Sequence, residues 1–301
     1  MGEKVLMKGN EAIGEAAIRS GCRHFFGYPI TPQTELSAYM AKKMPKINGV
    51  FLQAESEVSA INMVYGAAAA GMRTMTSSSS PGISLKAEGI SYLAAGDLPC
   101  VIVNIVRGGP GLGGIQPAQS DYFQAVKGGG HGDYHLIVLA PNSVQELAHL
   151  TAEAFNISDE YRIPTMILGD GTLGQMMEPV DLDAIPEPIY ADKPWAARGT
   201  DNKRNKNVVE TLYLEASELE KKVLEREKKY NVVKDNLQRY EAHDIDDADI
   251  IISSYGITSR VVETAVKSLR EEGIKVGVIR PITLWPFPEK IFKTVKPKAF
   301  L

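Results

Sequence analysis

The stretch Gln53–Ser84, QAESEVSAINMVYGAAAAGMRTMTSSSSPGIS, decides the fold. It reads as the end of a strand, an acid, a helix of small side chains, a second strand, a Ser-Pro-Gly turn and the start of another helix. Helices approach a neighbour closely only where side chains are small, so the helix after Glu57 is expected to lie buried against a flat surface. An acid at its head sits where helices leave a sheet on the ligand side. Glu57 is the candidate functional acid and Glu55 its competitor. The bland alternative is an acid favoured at a helix start by the helix dipole.

Outward from this stretch the pattern repeats. EAIGEAAIRS (11–20) has apolar residues at helical spacing and stops at Gly21. HFFGY (24–28) is a short aromatic strand. PITPQTEL then leads into a helix, with Thr31 suited to the N-cap and Pro32 to the first helical position. GVFLQA precedes Glu57. In SSSSPG, Ser80 is the expected cap and Pro81 the first helical residue. PCVIVNIV is a continuous apolar strand, as the interior of a parallel sheet requires. LIVLA and PTMIL are further strands, and SVQE (143–146) fits a capping box opening a helix through Phe155. Alternating strands and helices argue for a parallel α/β sheet. The loops YPITP, QAESE, SSSSPG and RGGPGLGG all follow strands and are expected to gather on one edge.

This unit is expected over residues 1–178. A proline-rich acidic linker follows over 179–246. It carries a charged stretch, 207–240, that reads as a long solvated helix. A smaller α/β unit over 247–301 is cut short, and a core of that size is marginal alone. The 301 residues, 44% hydrophobic and 23% charged, are ordinary for a globular chain. A net charge of −4 gives no electrostatic reason to expect nucleic acid or an anionic membrane as partner. No run approaches the ~20 apolar residues of a membrane span, and the N-terminus lacks a secretory apolar core. The only two cysteines, Cys22 and Cys100, cannot by themselves ligate a cluster or a structural zinc. They read as buried apolar groups in a reducing cytoplasm, so any electron carrier sits on another chain.

Two motifs mislead. Gly109, Gly111 and Gly114 satisfy G-x-G-x-x-G after a strand, with Asp133 near the dinucleotide distance. Pro110 and Pro117 keep that stretch irregular, so close backbone approach to a ligand is the better reading. Gly169-Asp-Gly171 begins the diphosphate–magnesium motif of thiamine diphosphate enzymes, with Asn202 in range. The prolines between them remove the strand–helix–strand unit that the motif needs. No other segment offers a phosphate cradle or a His/carboxylate metal cluster, so no metal ligand is assigned. Arg107 ends a buried strand at the ligand edge, where a guanidinium suits a substrate carboxylate. Its alternative is an ion pair with Asp121 or Glu88. His131 reads as a loop hydrogen-bonder with a proton role open.

GYPITPQTE, QAESEVSAINMVYGAAAAG, TSSSSPGISLKAEGI, VRGGPGLG and QSDY, in this order, closely resemble the α subunit of 2-oxoacid:ferredoxin oxidoreductases, in particular the 2-oxoisovalerate type. DADIIISSYGITSRVVETAV and RPITLWPFP resemble that family's second, transketolase-C-like domain. The resemblance implies the pyrimidine-binding half of a thiamine diphosphate enzyme, active only in complex. A β subunit would hold the diphosphate and Mg²⁺. γ and ferredoxin-like subunits would carry [4Fe-4S] clusters, with ferredoxin as acceptor and coenzyme A taking the acyl group. In this family an acid nine positions before a helix glycine hydrogen-bonds N1′ of the aminopyrimidine, and Glu57 with Gly66 has that spacing. Burial and the ring nitrogen are expected to keep its proton shared. Thr31 and Arg107 would bind the substrate carboxylate, and Ser78, Ser79, Ser80, Pro81 and Gly82 would line the cofactor. Many relatives acting on 2-oxoglutarate have a polar GPST where this chain has Gly109-Pro-Gly-Leu112, so Leu112 suits a branched aliphatic tail. The implied reaction is oxidative decarboxylation of branched-chain 2-oxo acids. The alternatives are the same chemistry on 2-oxoglutarate or pyruvate, or a non-catalytic assembly subunit.

Overall fold

The structure is a computed structural model and describes residues 4–301. The chain opens with β1 (Lys4–Lys8), α1 (Gly9–Arg19), β2 (His24–Gly27), α2 (Thr34–Lys43), β3 (Val50–Gln53) and α3 (Glu57–Ala69). It continues through β4 (Thr74–Ser78), α4 (Pro81–Ala95), β5 (Val101–Val106), α5 (Tyr122–Val126), β6 (Ile137–Leu139), α6 (Val144–Tyr161) and β7 (Thr165–Asp170). A short α7 (Gly171–Gln175) and β8 (Met177–Asp181) follow, then the long α8 (Ala216–Asn236). The last part holds β9 (Tyr240–His243), β10 (Ile250–Ser253), α9 (Ile257–Glu271), β11 (Val276–Pro281), β12 (Thr283–Trp285), α10 (Glu289–Thr294) and β13 (Ala299–Phe300).

The main sheet has the order β12-β6-β7-β5-β4-β2-β3. Its six strands from β6 to β3 run parallel. Helices cover both faces, so β4, β5 and β7 are buried along their whole length, and the apolar run of β5 shows no alternation. The order reverses between β2 and β4: the chain steps outward from β2 to β3, then returns across β2 to place β4. Loops at the carboxyl ends flank a crevice at such a reversal.

Local chemistry sets the helix starts. Ser143 caps α6 by accepting from Glu146 N, and the Glu146 carboxylate reaches back to Asn142 N. The helix runs to Tyr161, beyond the expected end at Phe155. Thr31 and Pro32 do not open α2; Gln33 is its cap residue, and the loop runs on through the two positions expected to start the helix. Ser80 does precede α4, but its side chain makes no capping bond. Nor is α3 buried all round. It buries Glu57, Ala60, Ile61, Val64 and Ala68, while Val58 and Asn62 face outward. Its close packing is against Gly89 of α4, where an added Cβ would meet Ile61 at 2.5 Å. Gly66 faces open space.

The stretch expected to be one solvated helix forms helix only from Ala216, and it is not wholly solvated. Tyr230 and Val233 of α8 are buried. Tyr230 accepts a hydrogen bond from His135 N at 3.1 Å and packs edge-on to Trp285. The C-terminal residues form a second sheet, β13-β10-β11-β9, with β9 antiparallel and drawn from the expected linker. β12 leaves this unit and joins β6 in the main sheet. β8, also from the linker, pairs antiparallel with β1. No helix among the described residues is long and apolar enough to cross a membrane.

Candidate functional site

Four loops meet at the carboxyl edge. Glu57 is the first residue of α3, with Ser56 as the cap accepting from Ser59 N at 3.2 Å. It is 6% exposed, whereas Glu55 is exposed and accepts from the Ser59 hydroxyl. The burial of Glu57 comes from α4: a Cβ on Gly82 would sit 2.8 Å from Glu57 Oε1, 3.2 Å from its Cγ and 2.0 Å from Ser78 Oγ. Only glycine permits that close packing.

The Ser-Pro-Gly turn is tied to β5. Asn104, buried in mid-strand, accepts from Ser80 N at 3.1 Å and donates to Asp121 at 3.0 Å. Ser80 Oγ accepts from Arg107 N at 3.1 Å. These bonds hold Ser80 at φ +35°, a conformation that L residues avoid. The Ser78 and Ser79 hydroxyls are buried with no hydrogen-bond partner among the described residues. Buried hydroxyls nearly always find partners, and the Ser78 hydroxyl, which adjoins Glu57 at Gly82, is thereby suited to a polar ligand. A buried carboxylate and an adjoining unpartnered hydroxyl fit the polar edge of an aminopyrimidine. They offer no cationic cradle for a diphosphate.

Arg107 follows β5. Its guanidinium donates to Thr31 O and Leu112 O, each at 3.0 Å, and its Nε is buried and unpartnered. Neither expected ion pair forms, since Asp121 is engaged by Asn104 and Glu88 by the Tyr92 hydroxyl. Thr31 and Arg107 are therefore brought together, with the Thr31 side chain exposed. The Leu112 carbonyl, not its side chain, meets Arg107; the side chain is 82% exposed.

The misleading motifs resolve physically. The glycine loop is irregular, closed by Gly108 N to Gln116 O and Gly114 N to Gly108 O. Asp170 of the GDG motif caps α7 through Thr172 N and Leu173 N. His131 lies near the other end of α4, where its carbonyl accepts from Ser91 Oγ at 2.8 Å. Burial pushes the Cys22 thiol up to about 12 and the Cys100 thiol higher still, so neither is a thiolate at neutral pH.

Sequence reasoning passed over Lys86. It is fully buried one turn beyond Gly82, and burial pulls its ammonium down to about 7 while Glu57 opposes the shift. The apolar run ISLKAEGI hid it, because lysines on helices are ordinarily solvated. A trio of the exposed Glu241 and His243 with the half-buried Glu263 also comes within metal-ligand range. It joins β9 to α9, which only the fold brings together.

Residues 15–256 match the family described as pyruvate flavodoxin/ferredoxin oxidoreductase, thiamine diphosphate-binding, and residues 248–299 match pyruvate:ferredoxin oxidoreductase core domain II. The ketoisovalerate oxidoreductase subunit VorB of Methanothermobacter marburgensis is 51% identical over 95% of this chain and 81% of its own. The 2-oxoglutarate synthase subunit KorA of Methanocaldococcus jannaschii is 38% identical over 97% and 86%. A solved structure of 2-oxoglutarate:ferredoxin oxidoreductase from Magnetococcus marinus superposes with a TM-score of 0.88 at 31% identity. It covers 99% of this chain, which spans 57% of that one. With two adjoining family matches and a shared architecture, the chain belongs to the pyruvate flavodoxin/ferredoxin oxidoreductase family, thiamine diphosphate-binding.

Proposed function

We propose that this chain is the pyrimidine-binding subunit of a thiamine diphosphate-dependent 2-oxoacid:ferredoxin oxidoreductase acting on branched-chain 2-oxo acids such as 2-oxoisovalerate. The observation that carries the reading is the buried Glu57 carboxylate packed against Gly82 beside the unpartnered Ser78 hydroxyl. Thiamine diphosphate, when bound, supplies a carbon nucleophile and an electron sink for loss of CO₂ from the 2-oxo acid. Glu57 holds a proton at the pyrimidine N1′. The buried hydroxyls of Ser78 and Ser79 and the Ser80-Pro81-Gly82 turn seat the ring and exclude water. Arg107 presents its Nε, and Thr31 its hydroxyl, to the substrate carboxylate. A guanidinium whose other nitrogens are fixed on carbonyls loses little freedom on binding.

The diphosphate and Mg²⁺ are assigned to a β subunit. With Cys22 and Cys100 both buried as thiols, [4Fe-4S] clusters belong on γ and ferredoxin-like partners, ferredoxin is the acceptor and coenzyme A takes the acyl group. The compartment is the cytoplasm. The branched-chain preference draws support from the two VorB relatives at 51% identity, against 37–39% for the KorA relatives. A second reading, 2-oxoglutarate as substrate, rests on the Magnetococcus structure, which is described with 2-oxoglutarate bound. Ferredoxin reduction by the reconstituted complex, assayed with 2-oxoisovalerate, 2-oxoglutarate and pyruvate, tests both. Equal turnover by complexes carrying Glu57→Gln and native chain would instead point to an assembly subunit.

A further inference from the structure

We propose that Gln119 is a positioning residue for Arg107: it pins the return end of the loop that leaves Arg107 to the β10–α9 turn of the C-terminal unit, and so fixes the carbonyl on which the guanidinium rests. The inference rests on the reading of Arg107 as the group that binds the substrate carboxylate.

The loop needs an anchor. It leaves the sheet at Arg107 and comes back beside it, where Arg107 and Pro117 form an isolated antiparallel bridge. Residues 109–117 are exposed, and Gly109 and Gly111 face open space. This same loop supplies the Leu112 carbonyl that accepts from Arg107 at 3.0 Å. A guanidinium held on a loose carbonyl is loose itself, and a reacting group displaced by about 1 Å can lose about 10²-fold in rate.

Gln119 ties down the returning end just past the bridge. Both ends of its amide are used: Nε2 donates to Tyr255 O at 2.8 Å, and Oε1 accepts from Thr258 Oγ1 at 2.9 Å. Its own carbonyl accepts from the Tyr255 hydroxyl at 3.2 Å. The turn is shaped for this contact. Gly256 has φ +60°, and a Cβ there would come within 2.9 Å of Gln119 Nε2. Tyr122 and Tyr255 pack beside it with ring centroids 5.8 Å apart. Asp121, a little further along, accepts from Asn104 of β5 at 3.0 Å. The segment behind the loop is thus held by the main sheet on one side and by the C-terminal unit on the other. An apolar contact would also join the two units, but hydrogen bonds set direction as well as distance.

The test measures kcat and KM of the reconstituted complex for the 2-oxo acid it turns over fastest, with thermal unfolding of each variant complex. Gln119→Met keeps the length of the side chain and removes both of its hydrogen bonds. Thr258→Val removes one of them, and Thr258→Ser retains it. The expected result is a KM raised about 3–10-fold in Gln119→Met and less in Thr258→Val, native in Thr258→Ser, with kcat within about twofold of native throughout. With Arg107→Met already in place, Gln119→Met should change KM no further, because the two act through one contact. Should Gln119→Met not assemble, Thr258→Val set against Thr258→Ser decides the question. A native KM in Gln119→Met and Thr258→Val, whatever their thermal midpoints, makes Gln119 a staple between units and overturns the proposal alone. Effects of Gln119→Met and Arg107→Met that multiply do the same. If Arg107→Met itself leaves KM at the native value, the reading of Arg107 falls and the proposal with it.

Discussion

Strand β4 begins beside one buried charge cluster and ends beside another, and the two are built on opposite rules. At its start, Arg73 donates to Asp159 at 2.8 Å, to Ser20 O, to Asn156 and to Ile189 O. Lys193 also reaches Asp159, at 2.5 Å. At its end, Lys86 has only neutral partners, Arg107 keeps an idle Nε, and the Ser78 and Ser79 hydroxyls bond to nothing. The first cluster ties the wrapping segment around residues 189–193 to the amino end of the sheet. The second stands at the carboxyl edge with its polar groups unspent. Ion pairs kept for structure are saturated, because an unmet buried charge costs several kcal/mol. A binding edge must instead leave donors and acceptors for its ligand.

Mutations can break that contrast. The largest effect is expected from Glu57→Gln, which should lower turnover of the complex by roughly 10²–10⁴-fold with little change in thermal stability. Stability falling in step with activity would put Glu57 in the structural class. Asp159→Asn should do the reverse. It strands two buried cations and should cost about 3–5 kcal/mol in urea unfolding, while turnover per folded complex stays close to native. Arg107→Met is expected to raise KM for the 2-oxo acid about 10–100-fold, the worth of one charge-assisted hydrogen bond. A change confined to kcat would argue against carboxylate binding.

A finer test uses pH and stability. Lys86 has a folded-state pKa of about 7 against 10.5 for a free lysine. Between these values the unfolded chain holds more protons than the folded one, so this group makes stability rise with pH across that window. Below about 7 its burial cost is present in full. Lys86→Met should therefore stabilise the chain most at and below pH 7, with the gain shrinking toward 10.5. Denaturant unfolding of native and variant chains at several pH values checks the sign. Lys193→Met should instead lower stability at neutral pH, since Lys193 is paired with Asp159.

The parallel sheet was legible because all but one of its six strands, the polar β4 (TMTSS), are apolar runs followed by a turn and a helical period. Glu57 was legible from its place before a run of small residues, and Arg107 from ending a buried strand. Lys86 was not, because a one-dimensional pattern cannot tell a lysine that snorkels from one turned inward. The helix start at Thr31-Pro32 was misread because the loop continues to the Gln33 cap, where Gln33 Oε1 accepts from Ser77 on the neighbouring strand at 2.6 Å. β12 was missed because three residues after a proline carry too little period to register as a strand.

The amino-acid sequence by itself determined the alternation of strands and helices, the edge on which the loops fall and the acid at the head of α3, since these follow from period, caps and turn residues within short windows. Tertiary structure alone decided which charges are saturated and which stand open. Whether Arg73, Lys86 or Arg107 finds a partner depends on residues tens of positions away that the sheet order brings into reach. The same side chain is a staple at one end of β4 and a poised group at the other.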